Sequence, residues 1–98
     1  MTVNTIKDGT KLTLAAEGKL GATSAPELEK AVKNNIGGVT ELVFDFEQVA
    51  YISSAGLRVL LFAQKQMNKQ GKMVITHVND DLMEIFEVTG FLDILTVE

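Results

Sequence analysis

The chain has 98 residues, of which 46% are hydrophobic, and a formal net charge of -4 at pH 7. This length and apolar content predict one globular domain over residues 1–98, and the acidic balance with scattered basic residues argues against nucleic acid as a direct partner. Because the chain has no cysteine and a single histidine, His77, we expect no disulfide, no metal, no cofactor and no catalytic residue.

The N-terminal residues contain no apolar signal core, and no apolar run approaches the ~20 residues of a membrane span. We therefore expect a cytoplasmic protein that does not insert into a membrane. Separately, we expect the protein to be a monomer when free. The first predicted element is a hairpin of two strands, Val3 to Lys7 and Lys11 to Ala16, with its turn at Asp8-Gly9.

The first helix is predicted to follow Ser24-Ala25-Pro26-Glu27. This segment has the serine-x-x-glutamate pattern of a capping box, with a proline in the first turn, where its missing N–H is harmless. The helix is expected to end at Gly37-Gly38. Its predicted inward side chains are Leu28, Ala31 and Val32.

The next two elements are a buried strand and a long helix. Leu42 to Phe46 is an almost continuously apolar run, typical of a strand buried on both faces, and Asp45 is interpreted as capping or solvating the loop after it. From Leu57 to Lys69 the hydrophobic period becomes helical. The predicted core stripe of this helix consists of Leu57, Leu60, Leu61 and Met67, with Gln64 between them.

Two adjacent hydroxyls, Ser53 and Ser54, lie between this strand and this helix. Either serine is placed to cap the helix by accepting a hydrogen bond from a free backbone N–H. The same N–H groups and the positive end of the helix dipole favour an anion. A phosphate on a serine here is therefore expected to be tolerated locally and to act outward, on a partner.

The last third of the chain predicts one more strand and one more helix. Met73 to Thr76 is an apolar strand, Asn79 or Asp80 caps a short helix, and Phe91 to Val97 adds an edge strand or packs on the core. The predicted inward side chains of this helix are Leu82, Ile85 and Phe86. Because strands that alternate with helices need right-handed crossovers, we predict an α/β fold: a single mixed β-sheet of about four to five strands layered with about three to four helices.

The segment Val49 to Leu61, after its apolar strand, closely resembles the motif of the STAS domains of bacterial anti-sigma factor antagonists. The similarity covers nearly the whole chain. It includes Gly18-Lys19-Leu20 before the first helix, Gly71-Lys72-Met73-Val74-Ile75, and Val88-Thr89-Gly90-Phe91-Leu92. The resemblance implies phosphorylation-dependent partner switching. In this family the antagonist binds an anti-sigma factor that is also a serine kinase, a sigma factor is released, and a serine phosphatase reverses the phosphorylation.

The family pattern aspartate-serine-x-glycine-leucine implies that the phosphoacceptor is Ser54, with Ser53, in the aspartate position, as the alternative. Gly21 replaces a second acidic residue that many antagonists carry before the first helix. On a helical wheel, Ala55, Val59 and Phe62 form a second face with Arg58 at its margin, which is either a docking patch or ordinary core. The expected partner-binding residues are Gly21, Ser53, Ser54, Ala55, Arg58, Val59 and Phe62.

Two other functions stay open. The first is a STAS interaction module with a non-sigma output, such as a signalling or lipid-transport complex. The second is a small-ligand sensor, with a nucleotide or lipid between the Gly18-Lys19-Leu20-Gly21 turn and the Ser53-Ser54 loop. We do not expect catalysis, because Ser-Ser-Ala-Gly lacks the glycine that precedes the serine of a hydrolase elbow.

Overall fold

The computed structural model describes all 98 residues, Met1 to Glu98, as four strands in one sheet with three α-helices. The elements in chain order are β1 (Thr2–Asp8), β2 (Lys11–Leu20), α1 (Ala25–Asn35), β3 (Glu41–Ile52), α2 (Ser54–Met67), β4 (Lys72–Thr76) and α3 (Asp80–Val88), then a short 3-10 helix (Phe91–Asp93). The strand order is β1-β2-β3-β4, with β1 antiparallel to β2 and the other pairs parallel. The predicted mixed α/β sheet is confirmed. The predicted edge strand at the chain end is reduced to one bridge between Ile75 and Val97.

The opening hairpin is confirmed, and its second strand is longer than predicted. Asp8 and Lys11 form the last pair before the turn. Gly9 has a φ of +61°, which glycine adopts at little steric cost. β2 continues past Ala16 to Leu20, where it pairs with the end of β3.

The prediction for β3 was wrong in both its length and its burial. The strand continues to Ile52, and only alternate side chains in its first half are buried, so one face of the sheet is covered. Irregular pairing with β2 on either side of Glu17 and Gly18 then changes the period of the buried positions. Such β-bulges insert extra residues on one strand and bend it. The buried side chains of β3 are Leu42, Phe44, Phe46, Val49 and Ile52.

The core lies between this covered sheet face and the helices. α1 buries Leu28 and Val32 as predicted, and Ala31 packs against the core from a half-buried position. α2 buries most of the predicted stripe, but Leu61 is only half-buried and Val59 is buried in addition. The largest fully buried side chains are Phe44, Phe46, Phe86, Leu12, Leu14, Leu20, Leu28, Leu42, Ile52, Leu60, Met67 and Ile75.

α3 begins as its sequence predicts. Asn79 is the cap, and its Oδ1 accepts a hydrogen bond from the Leu82 N–H at 2.8 Å. Leu82 and Phe86 are buried, whereas Ile85 is half-buried. The tail that follows contributes Leu95 to the core. None of the three helices is long and apolar enough to span a bilayer.

Candidate functional site

The parallel pairing of β2 with β3 brings two segments of the predicted site together. Leu20 and Ile52 are register partners at the ends of these strands, and the Ser53 N–H donates to the Leu20 carbonyl at 2.9 Å. Gly21 directly follows Leu20, so the backbones of Gly21 and Ser53 leave the same edge of the sheet. The sequence analysis groups Gly21 with Ser53 among the expected partner-binding residues, and the strand register places the two residues side by side.

Gly56 allows the first turn of α2 to approach the ends of both strands. A Cβ built on Gly56 would lie 2.7 Å from Leu20 Cγ and 2.7 Å from Ile52 Cγ1, closer than van der Waals contact allows. Leu20 and Ile52 are both buried, so neither can move aside freely. The glycine of the Ser-x-Gly-Leu pattern is therefore required by packing, and it fixes the position of Ser54 two residues earlier.

The two serines at the start of α2 differ in their surroundings. Ser53 occupies the cap position with an extended backbone, but its side chain makes no capping hydrogen bond, and its Oγ is buried without a partner. Ser54 is the first helical residue and its side chain is exposed. Ser53 therefore takes the predicted cap position, but the predicted capping hydrogen bond is wrong, because Ser53 Oγ makes no hydrogen bond.

The backbone around Ser54 is electropositive. The hydrogen bond from the Leu57 N–H to the Ser53 carbonyl is 3.0 Å long, and the three N–H groups before Leu57 have no acceptor within the helix. The first turn contains no acidic residue. Arg58 is exposed one turn after Ser54, on the same side of the helix. An anion attached to Ser54 would meet the helix dipole and a guanidinium group.

A groove of about 340 Å³ separates the first turns of α1 and α2. Its lining residues are Ala22, Ala25, Pro26, Glu29, Ala55, Arg58 and Val59. The floor is made of small apolar side chains, and Glu29 and Arg58 place opposite charges on its two walls. The predicted docking residue Val59 is only 5% exposed, so it forms the floor of the groove and not a projecting contact.

Phe62 lies one helical turn beyond the groove and is 37% exposed. The Lys33 ammonium of α1 is 5.5 Å from the centroid of its ring, within the range of a cation–π contact. Lys33 also pairs with Glu29 at 3.3 Å. The exposed part of the predicted second face of α2 therefore consists of Arg58 and Phe62, with Ala55 half-buried beside them. The groove residues of α1 were missed, because the sequence does not reveal which face of α1 lies beside α2.

The capping box predicted for α1 does not form. Ser24 occupies the cap position, but its Oγ donates to the Lys19 carbonyl at 2.6 Å and accepts from the Gly21 N–H at 2.8 Å. These bonds close the loop between β2 and α1. Gly21 is held by this loop, and a Cβ on it would have no atom within 4 Å, so the position has open space for a side chain.

Asp45 and His77 lie on the sheet face that the helices do not cover. Asp45 Oδ1 accepts from the Glu47 N–H at 3.1 Å and lies 3.0 Å from His77 Nδ1. Because β3 continues through Asp45, the carboxylate does not cap a loop as interpreted from the sequence; it holds the irregular part of the strand. Asp45, Glu47 and His77 are the side chains whose ligand atoms are close enough together to share a metal ion, within 4.8 Å of one another.

Comparisons with known proteins give one consistent family. The family model for the STAS domain matches residues 2–98. BtrV of Bordetella bronchiseptica, which is named as an anti-sigma factor antagonist, is 36% identical over 83 residues, covering 83% of this chain and 72% of BtrV.

Solved structures share the fold. An anti-sigma factor antagonist from Mycobacterium paratuberculosis superposes with a TM-score of 0.88 at 18% identity, over 98% of this chain and 83% of that one. The phosphorylated form of the Bacillus cell fate determinant SpoIIAA superposes with a TM-score of 0.77 at 14% identity, over 99% of this chain and 91% of that one.

Proposed function

Because this chain belongs to the STAS domain family, we propose that it is an anti-sigma factor antagonist that works by phosphorylation-dependent partner switching. With Ser54 unphosphorylated, it binds an anti-sigma factor that is also a serine kinase, and a sigma factor is released. The observation that carries this proposal is the exposed Ser54 hydroxyl at the first residue of α2, beside free backbone N–H groups and next to a groove between two helices. A serine phosphatase resets the switch.

Phosphorylation of Ser54 changes the partner surface without unfolding the protein. A phosphate adds about -1.5 to -2 charge at pH 7, and the N–H groups of the first turn and Arg58 stabilise that charge in the free protein. In the complex, however, the phosphate loses water in a contact that fits a neutral hydroxyl. Leaving such a charge poorly paired costs several kcal/mol, and each ~1.4 kcal/mol lowers the affinity tenfold. Release of the partner follows from this cost.

Two uncharged residues surround the acceptor where the family pattern has acids. Ser53 and Gly21 take these positions, and no carboxylate lies in the first turn of α2. Less negative charge near Ser54 makes the phosphorylated form easier to accommodate. The same absence removes two groups that a kinase partner can recognise, so the kinase that fits this chain relies on the groove and on Arg58.

The docking surface that supports this proposal is the groove between α1 and α2 together with Phe62. It combines an apolar floor, opposite charges on Glu29 and Arg58, and one partly exposed aromatic ring. Interface energy concentrates in such central apolar and aromatic contacts, surrounded by polar groups. Ser54 lies in the helical turn that contributes Ala55 and Arg58 to the groove, so a charge on it acts on the docked partner.

The experiment is a capture from the native bacterium with three immobilised forms: wild type, Ser54→Ala and Ser54→Asp. We expect a partner with kinase activity to be retained by the wild type and by Ser54→Ala, and to be lost from Ser54→Asp by at least tenfold. Thr2→Asp is the matched control, because it adds the same charge at an exposed position on β1. Equal retention of the partner by all four forms would contradict the switch and leave a constitutive scaffold with a different output.

A ligand sensor would need a cavity between the Gly18-Lys19-Leu20-Gly21 turn and the Ser53-Ser54 loop, and the structure has none there. None of the three surface cavities is lined by both the Gly18–Gly21 segment and Ser53 or Ser54. The groove beside α2 is open to solvent, whereas small-molecule sites bury most of their ligand. A protein partner fits this surface better than a nucleotide or a lipid does.

A further inference from the structure

The sheet face opposite the helices carries its side chains in rows that cross all four strands. One row is apolar at three of its four positions. It runs through the register partners Ile6, Thr13, Val43 and Val74. Ile6 is 59% exposed, Val43 is only half-buried although it lies on the central strand β3, and Val74 is half-buried on the edge strand β4. No helix covers this row, since the neighbouring residues of each strand are the ones that face the core.

The adjacent row consists entirely of charged residues whose signs alternate. It runs from Asp8 on β1 through Lys11 and Glu41 to Lys72 on β4, and each is the register partner of the next. Lys11 Nζ and Glu41 Oε2 are 4.0 Å apart, which shows that both side chains lie on the same face. If a second copy of this row faces the first in reversed strand order, every negative side chain lies opposite a positive one.

We propose that this face binds a second copy of the chain, with a two-fold axis parallel to the strands. Such an axis keeps each row at the same height and reverses the strand order, so Asp8 lies opposite Lys72 of the second copy and Lys11 lies opposite Glu41 of the second copy. In the apolar row, Ile6 covers Val74 of the second copy. A two-fold interface is isologous, so each of these contacts occurs twice. Two twisted sheets pack in this aligned way in β-sandwiches.

A third row that crosses all four strands is compatible with the same packing. It runs through Asn4, Ala15, Asp45 and Thr76, and its reversal places Ala15 against Asp45 of the second copy. No like charges meet in any of the three rows. Because only three rows on four strands make the contact, the interface is small. Interfaces below about 1,200 Å² are typical of weak, transient pairs, so we expect an equilibrium between monomer and dimer.

This dimer differs from the free monomer that the sequence predicts, and it is independent of the switch at Ser54. The partner groove lies among the helices, on the other side of the sheet, so both copies keep Ser54 exposed. A partner can therefore bind each copy of the dimer.

Sedimentation velocity over a range of protein concentrations tests the proposal. The variants are Lys72→Glu, which places two negative charges opposite each other, and the exchange Asp8→Lys with Lys72→Glu, which restores the pairing and the net charge. The matched control is Lys30→Glu, the same charge change at an exposed position on α1. Circular dichroism melting curves check that each variant folds.

We expect the wild type and the control to dimerise with the same dissociation constant. Lys72→Glu should raise that constant at least tenfold, and the exchange should return it to near the wild-type value. Ile6→Lys, on the edge strand, should also abolish association. A wild type that stays monomeric into the millimolar range would overturn the proposal, and so would a dimer that Lys72→Glu leaves unchanged or that the exchange fails to restore. Because none of these variants touches the groove, partner capture through Ser54 should be the same for all of them.

Discussion

Helices α1 and α2 begin at the same edge of the sheet, and their first turns use similar residues in opposite ways. Each follows a strand of the parallel pair β2 and β3, and each has a serine at its cap position. The Ser24 hydroxyl makes two hydrogen bonds within its loop. The Ser53 hydroxyl makes none, and the Ser54 hydroxyl is exposed.

The difference shows how each helix start is held. The start of α1 is fixed by the Ser24 hydroxyl, which donates to the Lys19 carbonyl and accepts from the Gly21 N–H. The start of α2 is fixed by the close contact of Gly56 with Leu20 and Ile52. Packing positions the second helix without using its hydroxyls, so the Ser54 side chain remains exposed.

Of the four substitutions, Gly56→Ala should lower the unfolding free energy the most. The new methyl group overlaps Leu20 and Ile52, and overpacking of this kind costs about 1–3 kcal/mol of unfolding free energy. Urea denaturation measures the loss. Gly37→Ala is the control, because nothing lies within 4 Å of a Cβ there. Equal stability of the two variants would contradict the role of packing at the start of α2.

Phe62→Ser tests whether the surface where α1 and α2 meet binds the partner. Phe62 is partly exposed and contacts Lys33 by a cation–π interaction worth about 0.5–1 kcal/mol, so the unfolding free energy should change little. The affinity for the captured partner should fall about tenfold, which is ~1.4 kcal/mol. Titration calorimetry with that partner and a thermal melt measure the two quantities. A large fall in melting temperature with unchanged affinity would assign Phe62 to the core instead.

Ser24→Ala should destabilise the fold by about 1 kcal/mol, since it removes both hydrogen bonds that close the loop before α1 and leaves the Gly21 N–H without its acceptor. Partner affinity should stay near the wild-type value. Denaturation and titration calorimetry on the same preparation separate these outcomes. If Ser24→Ala were as stable as the wild type, the hydrogen bonds of Ser24 would not be what fixes the start of α1.

Ser53→Ala should have the smallest effect on stability. The buried Oγ has no hydrogen-bond partner, so replacing it with a methyl group relieves an unsatisfied polar group. We expect the unfolding free energy to stay the same or to rise by less than about 1 kcal/mol. A loss as large as that of Ser24→Ala would mean that Ser53 stabilises α2 through a bond like those of Ser24.

Much of the fold follows from local patterns in the sequence. The hairpin and the three helices have regular hydrophobic periods and turn residues, and the first half of β3 is a clear apolar run. The second half of β3 has no such period, because the bulges bring Phe46, Val49 and Ile52 to one face at a spacing of three residues. A bulge depends on the partner strand, so no pattern within β3 alone predicts it.

Only part of the site was predicted, because its local features can be read from the sequence and its contacts with distant segments cannot. The position of Ser54 follows from the strand-to-helix junction and from the family motif, both of which are local. The predicted capping box of α1 does not form because Ser24 Oγ donates a hydrogen bond to the Lys19 carbonyl, a contact set by the path of the loop. Val59 lies opposite the predicted stripe on a helical wheel, yet it is buried because α1 packs beside this side of α2 and leaves Val59 at the floor of the groove.

The exposed Ser54 hydroxyl at the start of α2 is the proposed switch. Peptide mass spectrometry of the protein isolated from its native cells, before and after treatment with a serine phosphatase, tests it most directly. The account predicts one phosphate on Ser54, removed by the phosphatase, and none on Ser24, whose hydroxyl is occupied. An unmodified Ser54 under every growth condition, or a phosphate on Ser24 instead, would contradict it.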